Sequence, residues 1–316
     1  MILVTGATGF VGNAVVQCLL AEDQSRGLAL ALRRDDRRWT DRVLSHVVGD
    51  LEPTTDWTVA LGGVSVVVHC AARVHVMIDS SKNPLEEFRR VNVAGTLNLA
   101  HQAAAAGVRR FVFVSSIKVN GEATHLGSAF EADDAPGPLD AYGTSKMEAE
   151  QGLRKLSAKT GMQVVIIRPP LVYGPGVKAN FATMMRWLQR GVPLPLGAIH
   201  NQRSLVALDN LVDLIVTCLT HPAAANQTFL VSDGEDVSTK ELLRRMGRAM
   251  GRPARLIPVP ASWLKLAAAI IGKADVAQRL CGSLQVDIEK TRRLLGWSPP
   301  VSLDEGLRRA AGMHNP

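Results

Sequence analysis

The chain begins with a short apolar segment that runs directly into a loop with three evenly spaced glycines. Ile2–Thr5 is apolar, and Gly6, Gly9 and Gly12 follow it in the sequence TGATGFVG. This arrangement predicts a buried strand, a tight turn and a helix that begins near Gly9. Because a helix N-terminus presents unpaired amides and a positive partial charge, the loop indicates a site for the pyrophosphate of a dinucleotide. The residues expected to line it are Gly6, Thr8, Gly9, Phe10, Val11 and Gly12.

Apolar segments and amphipathic segments alternate along the first half of the chain. The apolar segments are continuous, which is typical of strands in a parallel sheet covered by helices on both faces. The pattern therefore predicts a Rossmann-type, doubly wound α/β fold, in which ligands bind at the carboxyl ends of the strands. We predict strands at 2–5, 27–32, 46–48, 64–69, 111–114 and 164–167, and helices at 9–20, 84–106, 140–159, 208–219 and 239–250.

Prolines become frequent after the sixth predicted strand, which indicates a change of architecture. We assign 1–168, together with about 205–232, to a nucleotide-binding Rossmann domain, and 169–204 and 233–316 to a smaller C-terminal region that binds the substrate. The most apolar stretch of this region, Trp263–Gly272, is too short to span a bilayer and is predicted to form a buried helix. A helix lying on a membrane surface is less favoured, because its polar face would be thin.

The composition argues against several classes of protein. Lys and Arg number 36 and Asp and Glu 29, and the resulting charge of +7 is expected to be scattered, which disfavours nucleic acid as a partner. The four cysteines form no Cys-x-x-Cys pair, and no cluster of His and Cys has zinc spacing. We expect a cytoplasmic protein with reduced thiols, no metal site, no signal peptide and no membrane-spanning segment.

The residues after the second predicted strand bear on the choice of cofactor. A dinucleotide-binding fold usually carries an acid there for the ribose 2′-hydroxyl, whereas Arg33 and Arg34 stand in that place. Arginine accommodates a 2′-phosphate, so NADP(H) is favoured over NAD(H). Asp35 and Asp36 follow at once, and a shift of two residues would restore an acid. Asp50, after the third strand, could accept a hydrogen bond from the adenine. Further expected cofactor contacts are Leu51, Cys70, Ala71 and Ala72.

A tyrosine and a lysine lie four residues apart on a predicted helix. Tyr142 and Lys146 would share one helix face. A phenol has a pKa of about 10, and a nearby ammonium lowers that pKa, so the pair could transfer a proton near neutral pH. Ser116 follows the fifth predicted strand, where its hydroxyl could bind a substrate oxygen. Together the three residues form a candidate catalytic set.

Nine segments extend this pattern along nearly the whole chain and resemble a known family. They are LVTGATGFVG, VVGDL, VVHCAA, VNVAGTLNLA, FVFVSSIKVNGE, YGTSKMEAE, IIRPPLVYGPG, NQRSLVALDNLVD and LLGWSP. The chain resembles extended short-chain dehydrogenases/reductases of the NAD-dependent epimerase/dehydratase family, which act on nucleotide sugars. The resemblance implies that Ser116 contacts substrate, that Tyr142 is the acid/base and that Lys146 binds ribose.

The resemblance also implies contacts in the outer parts of the site. It places Asn92 and Tyr173 near the cofactor, and we add Pro169 to that set. It implies that Asn180, Arg203 and Arg279 bind the substrate, the two arginines through a nucleotide diphosphate. Lys118, His75 and Met77 could also contact the sugar or could simply be solvated.

The residues that follow the candidate catalytic serine limit which reactions of the family are expected. Family dehydratases carry Asp-Glu at the place of Ile117 and Lys118, so dehydration is disfavoured. Arg33 favours the NADPH-dependent reduction of a UDP-4-keto-6-deoxy-HexNAc in surface-polysaccharide biosynthesis. The alternative is a UDP-glucose or UDP-GlcNAc 4-epimerase with tightly bound NAD. A non-catalytic NADP(H) sensor is less favoured, because the catalytic set is intact. By family analogy, a homodimer would form through the helices at 84–106 and 140–159.

Overall fold

The computed structural model describes residues 1–22, 27–36, 38–39, 43–74, 83–177, 179–270, 272 and 274–312. Its strands are β1 (Ile2–Thr5), β2 (Leu28–Leu32), β3 (Leu44–Val47), β4 (Val66–His69), β5 (Arg110–Val114), β6 (Gln163–Arg168), β7 (Leu171–Tyr173), β8 (Arg203–Ala207), β9 (Thr228–Leu230) and β10 (Asp236–Val237). Within these residues, seven parallel strands form the main sheet in the order β3-β2-β1-β4-β5-β6-β9. This is the predicted doubly wound α/β fold.

Helices cover both faces of the main sheet. The α-helices of the described residues, on the main sheet and elsewhere, are α1 (Phe10–Glu22), α2 (Pro84–Phe88), α3 (Thr96–Ala105), α4 (Ala141–Thr160), α5 (Ala179–Gln189), α6 (Leu208–Thr220), α7 (Thr239–Ala249), α8 (Ala261–Ile270), α9 (Ala274–Cys281), α10 (Glu289–Leu295) and α11 (Leu303–Ala310). Neighbouring residues of β1 belong to opposite cores: Val4 packs with α1 and α6, and Leu3 packs with α3 and α4. This double burial explains why the strands read as continuous apolar runs.

The long helix predicted at 84–106 is interrupted. Helix α2 passes into a π-helical turn, Arg89–Gly95, before α3 begins. A π turn accommodates an extra residue and is frequent at functional sites. Here it buries Asn92 and brings Gly95 against Leu51, where a Cβ on that glycine would lie only 2.9 Å from the Leu51 carbonyl oxygen. The prediction of one continuous helix was therefore wrong.

The part of the chain after β6 contributes elements to both sheets. Strands β7, β8 and β10 form a second sheet in the order β10-β8-β7, whereas α6 and β9 return to the main sheet. Asp233 joins the two parts, because its carboxylate accepts hydrogen bonds of 2.7 Å each from the Ala207 amide, the Asn210 side chain and the Tyr173 hydroxyl. The division into a cofactor region and a substrate region stays a prediction.

The helix predicted at Trp263–Gly272 is present as α8, but it is not buried. None of the residues described from Gly251 to Ile270 is buried, and Trp263 is 71% exposed. Apolar composition predicts a core position, yet no element of the described part of the chain packs over the outer face of this helix. Among the described residues, no helix is long and apolar enough to cross a membrane.

Candidate active site

The glycine loop between β1 and α1 leaves no room for side chains. Gly6 has a φ of +70°, and a Cβ there would lie 2.7 Å from the Ala71 amide nitrogen. A Cβ on Gly12 would lie 2.2 Å from the Gly6 carbonyl oxygen, so α1 packs against the turn as closely as glycine permits. A Cβ on Gly9 would meet only the Gly6 oxygen, at 3.2 Å. The loop is therefore closely packed against the protein at Gly6 and Gly12 and more open at Gly9, where a phosphate could approach the backbone.

The start of α1 supplies the donors for such a cradle. The first hydrogen bond of the helix runs from the Asn13 amide to the Gly9 carbonyl, at 3.0 Å. The amides of residues 10–12 precede that bond and have no partner within the helix. Together with the helix dipole, they form an anion site at the carboxyl end of β1. The residues present thus fit the pyrophosphate of a nicotinamide dinucleotide.

The predicted cofactor contacts beyond the loop lie at the same edge of the sheet. Cys70, Ala71 and Ala72 directly follow β4, and Leu51 follows β3. All four are half-buried, whereas Pro169, after β6, is buried. Burial raises the pKa of the Cys70 thiol to about 12, so this cysteine is a neutral wall residue rather than a nucleophile. Their contact with the cofactor stays a prediction.

Arg33 is exposed and lies beside a carboxylate. Its guanidinium Nη1 is 3.5 Å from Asp50 Oδ1, and the two side chains are 69% and 64% exposed. Farther along, Asp36 is held by Arg38, with an Nη2–Oδ2 distance of 2.6 Å, and Arg34 is exposed. Positive charge at the end of β2 is therefore balanced by a neighbouring acid, which weakens the case for a 2′-phosphate site.

His69 is buried in a chain of hydrogen bonds beneath the glycine loop. Thr5 Oγ1 accepts from the Ala71 amide at 3.3 Å and lies 2.7 Å from His69 Nδ1. His69 Nε2 lies 3.0 Å from Thr96 Oγ1, so each ring nitrogen has a hydroxyl partner that can donate or accept. Burial, aided by the charge of Lys146, lowers the pKa of His69 to about 3. His69 is therefore a buried core histidine with both ring nitrogens satisfied.

Asn92 connects the loop after β4 to the first turn of α4. Its side-chain oxygen accepts from the Arg73 amide at 2.8 Å, and its nitrogen donates to the Arg73 carbonyl and to Ser145 Oγ, each at 3.0 Å. The Ser145 hydroxyl donates in turn to the Tyr142 carbonyl at 2.8 Å. Asn92 therefore positions the backbone that carries Tyr142, whereas its contact with a cofactor stays a prediction.

The Tyr142–Lys146 pair is present, but its electrostatics differ from the expectation. Lys146 Nζ donates to the Val114 carbonyl at 2.9 Å and lies 4.4 Å from the centre of the Phe113 ring, whereas the Tyr142 ring centre is 6.0 Å away. Burial lowers the pKa of Lys146 to about 8. Burial, reinforced by the Asp140 carboxylate, raises the pKa of Tyr142 above its usual value. The predicted lowering of the Tyr142 pKa was wrong for this arrangement.

Ser116 and Lys118 lie in the turn that joins β5 to the site. Ser116 Oγ accepts from the Lys118 amide at 3.3 Å and caps a short 3-10 turn, Ile117–Val119. Lys118 Nζ donates to Glu122 at 2.8 Å and also to Asp140, the residue that caps α4. Lys118 thus holds the Ser116 turn against the start of α4. Its predicted contact with substrate is not tested by this geometry.

A buried ion pair that the sequence analysis missed supports these elements from below. Arg168 Nε and Nη2 donate to the two Glu150 oxygens at 2.9 and 2.6 Å, and both side chains are 1% exposed. Ser115 Oγ donates to Glu150 at 2.6 Å, and Arg168 Nη1 donates to Asn120 at 2.9 Å. The sequence does contain a signal for this pair. Arg168 is a charged residue at the end of an apolar strand, and Glu150 lies one helical turn after Lys146.

Tyr173 does not belong to the cofactor site. Its side chain has no exposed surface, and its ring stacks on Phe181 with 5.2 Å between centres. Its hydroxyl donates to Asp233 at 2.7 Å and lies 3.3 Å from the Leu303 carbonyl oxygen. A side chain enclosed in this way cannot contact a bound cofactor, so the prediction for Tyr173 is corrected to a structural role.

Two arginines from different elements lie close together in the part of the chain predicted to bind the substrate. Arg203 Nη1, from β8, donates to the Arg279 carbonyl at 2.8 Å and to the Gly282 carbonyl at 3.2 Å. Burial and the positive charge of Arg279 both lower the pKa of Arg203. Two neighbouring guanidinium groups repel each other unless an anion lies between them, and phosphate suits them well. The Asn180 side chain, His75 and Met77 lie outside the described residues.

The fold and the site together define an extended short-chain dehydrogenase/reductase. The doubly wound sheet carries a dinucleotide loop at its first strand and the Ser116, Tyr142 and Lys146 set near its fifth. The family model described as NAD dependent epimerase/dehydratase family matches residues 2–232, and the chain belongs to that family. It is therefore an enzyme that uses a nicotinamide cofactor. Among the described residues, no cluster of His, Cys, Asp and Glu is placed to hold a metal ion.

Three relatives show where in the family the chain lies. The UDP-glucose 4-epimerase of Vibrio cholerae is 51% identical, and the match covers 98% of this chain and 94% of that protein. The N-acetyl-alpha-D-glucosaminyl-diphospho-ditrans,octacis-undecaprenol 4-epimerase of Escherichia coli O157:H7 is 26% identical over 98% of this chain and 93% of its own. The structure of MoeE5 in complex with UDP-glucose and NAD is similar with a TM-score of 0.77 at 25% identity, covering 99% and 97% of the two chains.

Proposed function

We propose that the protein is a UDP-hexose 4-epimerase that retains NAD. The observation that carries this proposal is the 51% identity, over nearly the full length of both chains, to a UDP-glucose 4-epimerase. The sequence analysis favoured an NADPH-dependent ketosugar reductase, with the epimerase as its alternative. The relatives support the alternative better, because two of them are 4-epimerases and the third binds UDP-glucose with NAD.

In this proposal Tyr142 moves the proton of the sugar C4 oxygen. When bound, the oxidised nicotinamide serves as the acceptor and then the donor of the C4 hydride and adds positive charge to the pocket. Tyr142 takes the hydroxyl proton as C4 becomes a carbonyl and returns it when the carbonyl is reduced on its other face. Tyr142 must enter this step as the phenolate, because a neutral phenol cannot take the proton. Burial raises the Tyr142 pKa and so disfavours that anion, which the positive charges of Lys146 and of the bound cofactor would favour.

The neighbouring residues hold the reacting groups in place. Ser116 follows β5, and its hydroxyl can share the C4 oxygen with the Tyr142 hydroxyl. The charge of Lys146 favours the phenolate that takes this proton, since an ammonium stabilises a nearby anion. Asn92 fixes the backbone of Tyr142 through Ser145. The chain supplies orientation and electrostatics in this scheme, and the redox step belongs to the cofactor.

The paired arginines of the substrate region suit the diphosphate of a nucleotide sugar. Arg203 and Arg279 bring two positive charges together at the junction of β8 and α9. A diphosphate would neutralise both and anchor the substrate by its nucleotide end. A sugar anchored only through its diphosphate can rotate about single bonds, and 4-epimerisation requires it to present both faces to the same cofactor.

The surroundings of Arg33 support NAD over NADP in this proposal. The Asp50 carboxylate, 3.5 Å away, already balances the guanidinium and would repel a 2′-phosphate placed between them. An epimerase also regenerates its cofactor in every turnover, so it gains from holding one molecule tightly. The preference for NADP(H) inferred from Arg33 is therefore replaced in the proposal by NAD.

The decisive experiment identifies the bound nucleotide and the reaction together. The purified protein is denatured, the released nucleotide is identified by mass spectrometry, and UDP-glucose is incubated with the native protein without added cofactor. We expect NAD and the appearance of UDP-galactose. An empty site, with NADPH oxidised only when a UDP-4-keto-6-deoxy sugar is supplied, would establish the reductase instead. Cofactor binding without turnover of either sugar would favour the sensor.

We also propose a homodimer in the cytoplasm, formed through α2, α3 and α4. These helices lie side by side and are joined by Arg89, which binds Glu148 at 2.7 Å, so they present one continuous surface. Two such surfaces would pack as a four-helix bundle. Sedimentation velocity should give a mass of two chains, and a monomer at micromolar concentration would contradict this part of the proposal.

A further inference from the structure

Helix α8 carries an apolar face that no part of the described chain covers. Trp263, Leu266 and Ile270 are 71%, 65% and 78% exposed. Their spacing of three and then four residues places them on one face of the helix. Leu264 is half-buried and packs against the core of the second sheet, so the helix is attached by another face. Clustered exposure of this kind marks a contact surface rather than scattered surface residues.

Basic residues flank this face along the chain. Residues 242–279 contain eight Lys and Arg and one Asp. Arg244, Arg245 and Arg248 of α7 are engaged by acids.

The basic residues nearest the apolar face differ from those of α7. Arg252, Arg255 and Lys265 are exposed, and within the described part of the chain none of them forms an ion pair. We call the surface formed by Arg252, Arg255, Trp263, Lys265, Leu266 and Ile270 the basic apolar surface. It combines uncompensated positive charge with a large apolar area.

We propose that the basic apolar surface docks the enzyme on an anionic lipid bilayer. Apolar side chains that include tryptophan enter the boundary between headgroups and acyl chains, and flanking Lys and Arg bind the anionic headgroups. The helix is ten residues long, so it lies on a bilayer and does not span it. The interfacial helix, less favoured on sequence alone, is thus the interpretation that the exposed face of α8 supports.

A second copy of the chain fits this surface less well. A symmetric dimer contact places the same patch on both partners. Arg252, Arg255 and Lys265 would then face their own copies, and like charges brought together in an interface are unfavourable. A bilayer offers the opposite charge and an apolar interior at once. The proposed homodimer also uses α2, α3 and α4, which leaves the basic apolar surface accessible in it.

The test is cosedimentation of the full-length protein with vesicles. Phosphatidylcholine vesicles are compared with vesicles in which about one third of the lipid is phosphatidylglycerol. We expect binding to the anionic vesicles that weakens as salt is added, because charge screening reduces the headgroup attraction. We also expect the fluorescence of Trp263 to shift to shorter wavelength, with a Trp263→Phe variant identifying the contribution of that residue.

Variants separate the two parts of the surface. The double variant Trp263→Ser/Leu266→Ser should lose about tenfold or more in vesicle affinity, because it removes the inserted apolar groups. Arg252→Gln/Arg255→Gln/Lys265→Gln should lose a similar factor on anionic vesicles only. Val59→Ser is the matched control, since Val59 is 75% exposed outside this surface, and it should bind as the parent does. Circular dichroism and turnover of a soluble UDP-sugar should be unchanged in all three.

Three outcomes would overturn the proposal. The first is a parent protein that stays in the supernatant with both kinds of vesicle. The second is equal loss of vesicle binding in the Val59→Ser control, which would show that binding is non-specific. The third is a change of oligomeric state in the Trp263→Ser/Leu266→Ser variant without any vesicle binding by the parent, which would assign the surface to a protein contact.

Discussion

Arg168 and Glu150 form a doubly hydrogen-bonded ion pair beneath the catalytic turn, at 2.9 and 2.6 Å, with each side chain 1% exposed. The pair joins the end of β6 to α4, one turn after Lys146. Ser115 and Asn120 complete its hydrogen bonds, so the site rests on a charged group that is fully enclosed.

We predict that removing one partner of this pair destabilises the enzyme strongly. Arg168→Met leaves the Glu150 charge buried and unpaired, at a cost of about 3–5 kcal/mol in the free energy of unfolding. Urea denaturation measures the loss. Arg154→Met is the control, because Arg154 contacts the same carboxylate from a partly exposed position at 3.4 Å and should cost about 1 kcal/mol or less. Equal losses in the two variants would contradict this account.

The buried His69 should make stability depend on pH on the acid side. The unfolded chain binds a proton at this histidine near pH 6.5, whereas the folded chain does so only near pH 3. Between these values the unfolded state holds more protons, so stability rises with pH and falls on acidification, by about 1.4 kcal/mol per pH unit from this group.

A variant isolates that contribution. His69→Gln should flatten the slope of unfolding free energy between about pH 6.5 and pH 4, although it lowers stability throughout. His101→Gln should leave the slope unchanged, because His101 is exposed. If His69→Gln keeps the slope of the parent, another group is responsible.

Substitution of the two tyrosines of the chain should affect different properties, turnover for Tyr142 and stability for Tyr173. Tyr142→Phe should reduce turnover of the UDP-sugar by about a hundredfold or more while cofactor and fold are retained, because it removes the proton-transfer group. Tyr173→Phe should keep most turnover but lose about 1–2 kcal/mol of stability, because the Asp233 carboxylate loses a buried donor. Steady-state rates and thermal unfolding distinguish them, and a Tyr142→Phe enzyme with near-normal turnover would remove the proposed acid/base.

The low pKa of Lys146 should appear in the pH profile of the reaction. Its ammonium is lost as the pH rises through about 8, and with it the charge that favours the Tyr142 phenolate. We expect kcat/KM to fall above that pH. Lys146→Met should lose most activity and show no such limb. A parent profile that stays flat well above pH 8 would show that the lysine charge is not needed.

Arg33 should have little influence on NAD if Asp50 already compensates its charge. We expect Arg33→Ala to change the affinity for NADH less than about twofold and to reduce the weaker affinity for NADPH by up to about tenfold, since it removes a cation near the 2′ position. Arg34→Ala is the matched control and should change neither. Fluorescence titration measures both affinities. Tighter binding of NADPH than NADH by the parent would restore the cofactor preference first drawn from the sequence.

The sequence predicts the sheet well, because the sheet depends on local patterns. Continuous apolar strands can be buried only between two layers of helices, and the glycine spacing around Gly6 permits one kind of turn. The spacing of Tyr142 and Lys146 likewise follows from helix geometry. Each of these features is determined by residues close together in the chain.

Features that depend on residues far apart in the chain cannot be predicted from such local patterns. Nothing near Asn92 indicates that the helix there admits an extra residue, and the partners of its side chain, Arg73 and Ser145, lie far away in the sequence. The burial of Lys146, which lowers its pKa, and the hydrogen bond from its Nζ to the Val114 carbonyl cannot be read from spacing. Helix α8 was expected to be buried because apolar residues usually are, yet its outer face has no partner in the described fold.

The hydrogen bonds around Asp233 indicate what a truncation of the chain would do. Asn210 donates to Asp233 and also exchanges hydrogen bonds with the backbone of Val301, at 2.8 Å in both directions. The segment around Val301 therefore completes a buried network that reaches Ala207 and Tyr173. A premature stop codon placed before Val301 removes only the end of the chain, yet it leaves polar groups unsatisfied at the junction of the two sheets. Such an allele should behave as a complete loss of function.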